Sequence, residues 1–405
     1  MRDTRALYTP TFWLACAIHF TGGMSFGMFL LFPLFINSLG GDEIRIGLVL
    51  GTGIAASVVL RPTVGALLDR LGRRQVLLWS GAINAATLPL FLLVGSTGRT
   101  LFLLSAVHFI VGGALFAAYF TYAADLVPPA RRIEGIAIFG VAGMATNGLG
   151  PTLGEMLIAR GGYPVFFLVA AGFASVSFGL TALIPRTPTR ARERYVDAVG
   201  VSASVWRDMF RTALHGGVGR ILVATALFGA GVGAAFYFIA PFTRDLGVAH
   251  ASPFFAAYAS TTIALRIFGR RLPDRLGPGR ITVPAFGVFA LGLAALCLLP
   301  LRGVLVLAGI ACGAGHGSLF PVLNALAVGR TPAHLQGTVV SLYTAALDLG
   351  ETVGMPIGGA IAWAVGYRVM FACMALASLG GLLLMATDRP AQHAGGARHP
   401  SSGRI

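Results

Sequence analysis

Apolar runs long enough to cross a bilayer follow one another along almost the whole chain, twelve in all, and that repetition leaves few folds open. They lie near 12–36, 46–68, 75–95, 100–126, 133–158 and 163–185, then near 218–243, 252–272, 281–300, 303–328, 336–362 and 367–387. A spanning helix needs about 20 mostly apolar residues, and backbone groups in lipid must bond within their own segment, so runs of this length are helices. Only 11% of the 405 residues are charged, against roughly 25% in soluble domains, so the chain lacks the polar surface that water demands. The expected fold is all-α and integral to the membrane.

Charge placement gives the topology. All 30 basic residues are arginines, and with the N-terminus inside, 24 of them fall in cytoplasmic loops and tails. Each of the six opposite loops holds one: Arg45, Arg99, Arg160, Arg244, Arg302 and Arg368. An arginine excess marks the cytoplasmic side, which predicts a multi-pass plasma-membrane protein, of a bacterial inner membrane, with both termini in the cytoplasm. Arginines spread over alternate loops also speak against a nucleic-acid partner, which would need one basic stripe. Cys16, Cys297, Cys312 and Cys373 lie inside apolar runs without a CxxC partner, so no disulfide framework, zinc site or other metal site is expected. The first apolar run follows the basic stretch Met1–Arg5 and is too long for a signal-peptide core.

The two ends of the chain repeat each other. Leu60-Arg61 and Asp69-Arg70-Leu71-Gly72 recur 205 residues later, at the same internal spacing, as Leu265-Arg266 and Asp274-Arg275-Leu276-Gly277. Gly150, Gly154 and Gly162-Tyr163 recur at an offset of 204 as Gly354, Gly358 and Gly366-Tyr367. The predicted layout is therefore two parallel six-helix repeats: a bundle over 1–185, a cytoplasmic linker over 186–217, a second bundle over 218–388, and a disordered tail over 389–405. The linker places Val201, Val205, Met209 and Ala213 at helical spacing, which suits a helix on the membrane surface or a solvated connector. Duplicated bundles of this kind place a substrate site near the midplane and expose it to alternate sides by rocking.

The loop Gly65-Ala66-Leu67-Leu68-Asp69-Arg70-Leu71-Gly72-Arg73-Arg74 resembles the signature loop of the major facilitator superfamily. With twelve spans, a central linker and a degenerate second copy, the resemblance covers nearly the whole chain. It implies a conformational latch formed by Arg61, Gly65, Asp69, Arg70, Gly72, Arg73 and Arg74 with Arg266, Asp274 and Arg275. In such a latch a carboxylate at Asp69 bonds the free amides of another helix's N-terminus. Gly148-Leu149-Gly150-Pro151-Thr152-Leu153-Gly154 is similar to the antiporter motif of the exporting branch, with Glu155 where that motif has its last glycine. Gly150, Pro151 and Gly154 are thus an antiporter-like hinge, or a plain packing kink. The fourth span reads His108-Phe109-Ile110-Val111-Gly112-Gly113, with histidine where the exporting branch usually carries arginine.

Sorting the fifteen acids by position leaves Asp348, Glu351 and Glu155 inside spans. Asp348 stands twelve residues beyond Gln336, about 18 Å along a helix and close to the midplane. Glu351 is nearly one turn further on, and two adjacent carboxylates in low dielectric cannot both ionise cheaply. Intramembrane acids are functional candidates by default, so these three are the candidate proton-coupling groups. An ion pair with Arg61 or Arg266, or direct binding of a cationic cargo, is the competing role. Glu155 is expected near the outer surface, lining an exit path or paired with Arg160. In the resembled family, spans one, four, seven and ten line the cavity, which there would gather His19, His108, Tyr119, Tyr237, His316 and Asn324. With no arginine read as mid-span, anionic cargo is disfavoured. The expected activity is non-enzymatic: a monomeric secondary transporter without cofactors, exporting a small organic compound, drug-like, metabolite or metallophore, in exchange for protons. Uptake of a neutral sugar or metabolite by proton symport is the alternative.

Overall fold

The computed structural model describes residues 7–128, 131–185, 217–269, 276–331 and 335–388. Among them the protein is helical throughout, without strands. The first half contains α1 (Pro10–Ser38, with a 3-10 turn at Phe29–Leu31), α2 (Glu43–Leu71), α3 (Arg73–Leu93) and α4 (Arg99–Leu126). It closes with Arg132–Leu183, which bends at Gly162 into α5 (132–161) and α6 (163–183). The second half contains α7 (Val218–Tyr237, continued by Ile239–Asp245), α8 (Ser252–Phe268), α9 (Pro278–Leu296), α10 (Val304–Gly329), α11 (Gln336–Val365) and α12 (Tyr367–Ala386). Among the described residues, nine helices are long and apolar enough to cross a membrane. The bend at Gly162 splits one of them, and α8 and the more polar α11 complete twelve.

Local chemistry explains these boundaries. Thr9 caps α1 by accepting the Phe12 N–H, with Pro10 at the first helical position, and Asp42 caps α2 by accepting the Arg45 N–H at 2.8 Å. The tight turns rest on glycines at positive φ, and these obey the sequence repeat: Gly72 (φ 84°) matches Gly277 (φ 81°), and Gly162 (φ 67°) matches Gly366 (φ 91°). Residues 186–216 and 389–405, which hold the expected linker and tail, lie outside the described residues, as do Asp274 and Arg275.

The repeat is visible in the packing. In the first half α1 packs on the α5–α6 hairpin, and α4 packs on α2 and α3. In the second, α7 packs on α11 and α12, and α10 packs on α8 and α9. The halves meet chiefly through two antiparallel pairs, α2 with α11 and α5 with α8. At the end of the molecule that carries Gly40 and Gly366, the tip of α1 also touches the tip of α7. Backbones approach closely there: a Cβ on Gly47 would lie 2.4 Å from the Met355 carbonyl, and one on Gly359 2.3 Å from that of Glu43. Membrane helices associate through such small-residue contacts because lipid supplies no hydrophobic drive between them. The outer surface is apolar, with Leu93 and Phe268 exposed, and Trp79 and Trp363 stand exposed near opposite ends of their helices, as aromatic belts do.

Candidate functional site

One charged pair of the spans lies across the boundary between the halves. Arg61 of α2 lies ten residues before that helix ends at Leu71, about 15 Å in from the arginine-rich end. Its guanidinium pairs with the Asp348 carboxylate of α11, joining the two halves. The expectation that no arginine reaches mid-span is therefore corrected: a long side chain carries the charge to the level of Asp348. The pair is half-buried, with side-chain exposures of 39% and 19%. A shallow crevice beside it is lined by Ser57, Arg61, Val64, Ile110, Gly113 and Ala114.

Glu351 follows Asp348 by nearly one turn and packs against Gly233 of α7, where a Cβ would lie 3.4 Å from its Cγ. The charge of Asp348 acts on Glu351, and that of Glu351 on Tyr237 of α7 and Tyr258 of α8. The acids thus form one group with Arg61, as the spacing on α11 predicts. Tyr258 belongs to that group and was absent from the sequence expectation. Its position eight residues before Arg266, on the same helical face, is the signal that marks it.

Glu155 stands apart from the other acids. Its carboxylate accepts the backbone N–H of Ala251 at 2.6 Å and of Ser252 at 3.2 Å, and it faces the His250 ring at 3.3 Å. Since α8 has no capping side chain of its own, Glu155 of α5 caps it from the other half. The expected pairing with Arg160 does not form; Arg160 is exposed. Neighbouring Gly150 lies on the Gly27 backbone of α1, and Gly154 fits under Leu31 and Phe166. Pro151 is buried beside them. This stretch is a close-packed seam of α5 against α1.

The six expected cavity residues do not form one chamber. His19 bonds the Phe139 carbonyl and stacks on its ring at 4.5 Å, and His108 is sandwiched by Phe26 and Phe29 with no partner at Nδ1. Tyr119 bonds Ser177, whose hydroxyl donates to the Ile18 carbonyl. All three are therefore packed inside the first half. In the second half His316 bonds Tyr258, while Asn324 keeps a buried Oδ1 without a partner. Tyr237 reaches across to the first half, its ring 6.2 Å from that of Phe109. Burial of aromatic and imidazole rings between helices outweighs their exposure in a cavity, because packing is the main attraction between helices in lipid.

In the latch loop, Arg73 pairs with Asp125 of α4 at 3.0 Å, and Arg74 donates to the carbonyls of Ala182 and Ile184. Arg131 pairs with Glu134 at the start of α5. Asp69 and Arg70 are exposed and bond nothing among the described residues, and the space around Gly65 is open. Arg73 and Arg74 thus anchor the loop within the first half while Asp69 and Arg70 project. Among the described residues, no three His, Cys, Asp or Glu side chains come together as a metal site would require.

A sequence profile described as "Major Facilitator Superfamily" matches residues 12–350 and 255–402. The chain is 27% identical over 391 residues to the multidrug resistance protein MdtG of Serratia proteamaculans, covering 91% of this chain and 90% of that one. It is 25% identical over 350 residues to the staphylopine export protein of Staphylococcus aureus, covering 84% and 86%. In fold it is similar to the crystal structure of the nucleoside transporter NupG, with a TM-score of 0.75 at 15% identity over 94% of this chain and all of that one.

Proposed function

From the premise that this chain belongs to the Major Facilitator Superfamily, we propose that it exports a small organic compound, drug-like, metabolite or metallophore, in exchange for protons. The observation that carries this reading is the Arg61–Asp348 pair across the α2–α11 boundary, beside Glu351. The arginine-rich end is the cytoplasmic one, and both termini lie there in an inner membrane. The halves are joined at the outer end by the tips of α1 and α7 and by Glu155 on α8, so this conformer faces inward.

A half-buried ion pair between the halves can serve as a coupling device because its strength depends on protonation. Losing one partner of such a pair costs on the order of 1–4 kcal/mol, between the exposed and fully buried cases. Protonating Asp348 removes its attraction for Arg61 and loosens α2 from α11; deprotonation restores it. Glu351, next to Asp348, receives or returns the proton without a long transfer. Export rather than uptake is supported by the Gly150-Pro151 seam and by relatives named for multidrug resistance and staphylopine export. The protein works as a monomer, since both halves of the site come from one chain.

The test is transport by purified protein in liposomes under an imposed pH gradient. Asp348→Asn should abolish proton-driven accumulation and leave exchange of compound for compound intact. If driven transport and its pH dependence survive in that variant, coupling lies elsewhere. Compound moving in the same direction as protons would favour the symport alternative.

A further inference from the structure

The internal repeat makes Arg266 of α8 the counterpart of Arg61 of α2. The two arginines meet opposite fates. Across the α2–α11 boundary Arg61 finds Asp348, but the residue of α5 that corresponds to Asp348 is Met144. The Arg266 guanidinium lies over Gly140, one turn before Met144, with Nη1 2.9 Å from where a Cβ on that glycine would stand. Among the described residues it makes no ion pair. The polar groups near it are already engaged: Tyr258 and His316 bond each other, and the Thr262 hydroxyl donates to the Gly313 carbonyl. Arg266 stands in the last turn of α8 and is partly buried. A guanidinium partly withdrawn from water with no anion beside it among the described residues is costly, and such groups in membrane proteins mark ligand or ion pathways.

We infer that Arg266 is a binding residue for an anionic group of the transported compound, a carboxylate in the first instance. The missing acid at Met144 is what leaves the guanidinium open to a ligand, and its planar fork of donors suits a carboxylate. Gly140 supplies the room, since a side chain there would displace the guanidinium. The compound's carboxylate sits between α5 and α8, so it bridges the halves where protein alone bridges them at Arg61. This inference rests on the reading of the chain as a carrier of small organic compounds and names the class of cargo.

The test is equilibrium binding to the purified full-length protein in neutral detergent, which needs no proton gradient and so stands apart from any failure of coupling at Asp348. The probes are aromatic carboxylic acids and aromatic amino acids, each paired with its own primary amide. Wild type should bind the acid member of the best pair about tenfold or more tightly than the amide. Arg266→Gln should erase that difference, and Arg266→Lys should retain part of it. Met144→Asp should also erase it by supplying the protein's own anion, while Arg266 and its packing stay in place. The inference is overturned if no acid in the panel binds, if acid and amide bind alike in wild type, or if the preference survives in Arg266→Gln or Met144→Asp. It is equally overturned if phosphatidylglycerol, added to the detergent, competes with every acid while the acids do not compete with one another, which would make the site one for a lipid phosphate.

Discussion

The Glu155 carboxylate of α5 accepts the Ala251 N–H of the other half at 2.6 Å, and so caps a helix to which it does not belong. The latch implied by the sequence motif uses the same chemistry, a carboxylate on free helix amides, but assigns it to Asp69. In this conformer Asp69 is exposed while Glu155 does the capping at the opposite end of the molecule. The antiporter-like motif departs from its pattern at Glu155, and the departure is what reaches α8.

Removing this cap should open the outer end. A hydrogen bond to a charged group contributes about 1.5–3 kcal/mol, and 1.4 kcal/mol is tenfold in a conformational equilibrium. In Glu155→Ala, spin labels at Ser38 and Val248 should therefore show a longer distance population increased about tenfold or more. Glu155→Gln, which keeps one acceptor oxygen, should fall between. An unchanged distance distribution in Glu155→Ala would show that the cap does not hold the gate.

Arg61 and Asp348 should behave as one unit. Each single neutral variant, Arg61→Gln or Asp348→Asn, leaves the other charge half-buried and unpaired. The double variant removes both charges and should be more stable to heat than the sum of the single losses allows, with a coupling of about 0.5–3 kcal/mol. Strict additivity in that cycle would mean that the pair contributes nothing.

Two glycines should respond oppositely to alanine. At Gly47 the added methyl meets the Met355 carbonyl at 2.4 Å, so Gly47→Ala should push α2 from α11 and lower the unfolding temperature by several degrees, about 1–3 kcal/mol of overpacking. At Gly65 nothing lies within 4 Å, so Gly65→Ala should be neutral or stabilising by up to about 1 kcal/mol. A loss of transport in stable Gly65→Ala would then place a close contact at Gly65 in the opposite, outward-facing state, as the latch requires.

His108 offers a test of packing against function. Its Nδ1 is buried without a partner among Phe26, Phe29 and Phe109. Replacing an unsatisfied polar ring by an apolar one of similar size removes a desolvation cost, so His108→Phe should raise thermal stability and keep transport. Loss of transport in a well-folded His108→Phe protein would restore the histidine to the mechanism.

The twelve helices, their grouping into two repeats and the turns at Gly72 and Gly162 with their counterparts follow from the amino-acid order alone, because these depend on local composition. Length and hydropathy decide what spans a bilayer, and only glycine takes positive φ without strain. The closeness of Asp348 and Glu351 was also legible, since one helix carries both. What joins different helices was not. The reach of Arg61 to Asp348, the capping of α8 by Glu155 and the open position of Arg266 depend on which helix faces which, and on whether its partner position holds an acid or Met144. The same limit explains the histidines: the sequence shows which helix carries each, but helix rotation and neighbouring phenylalanines make His19 and His108 packing residues. Side-chain chemistry fixes what a residue can bond, and the crossing of helices from two halves decides what it does bond.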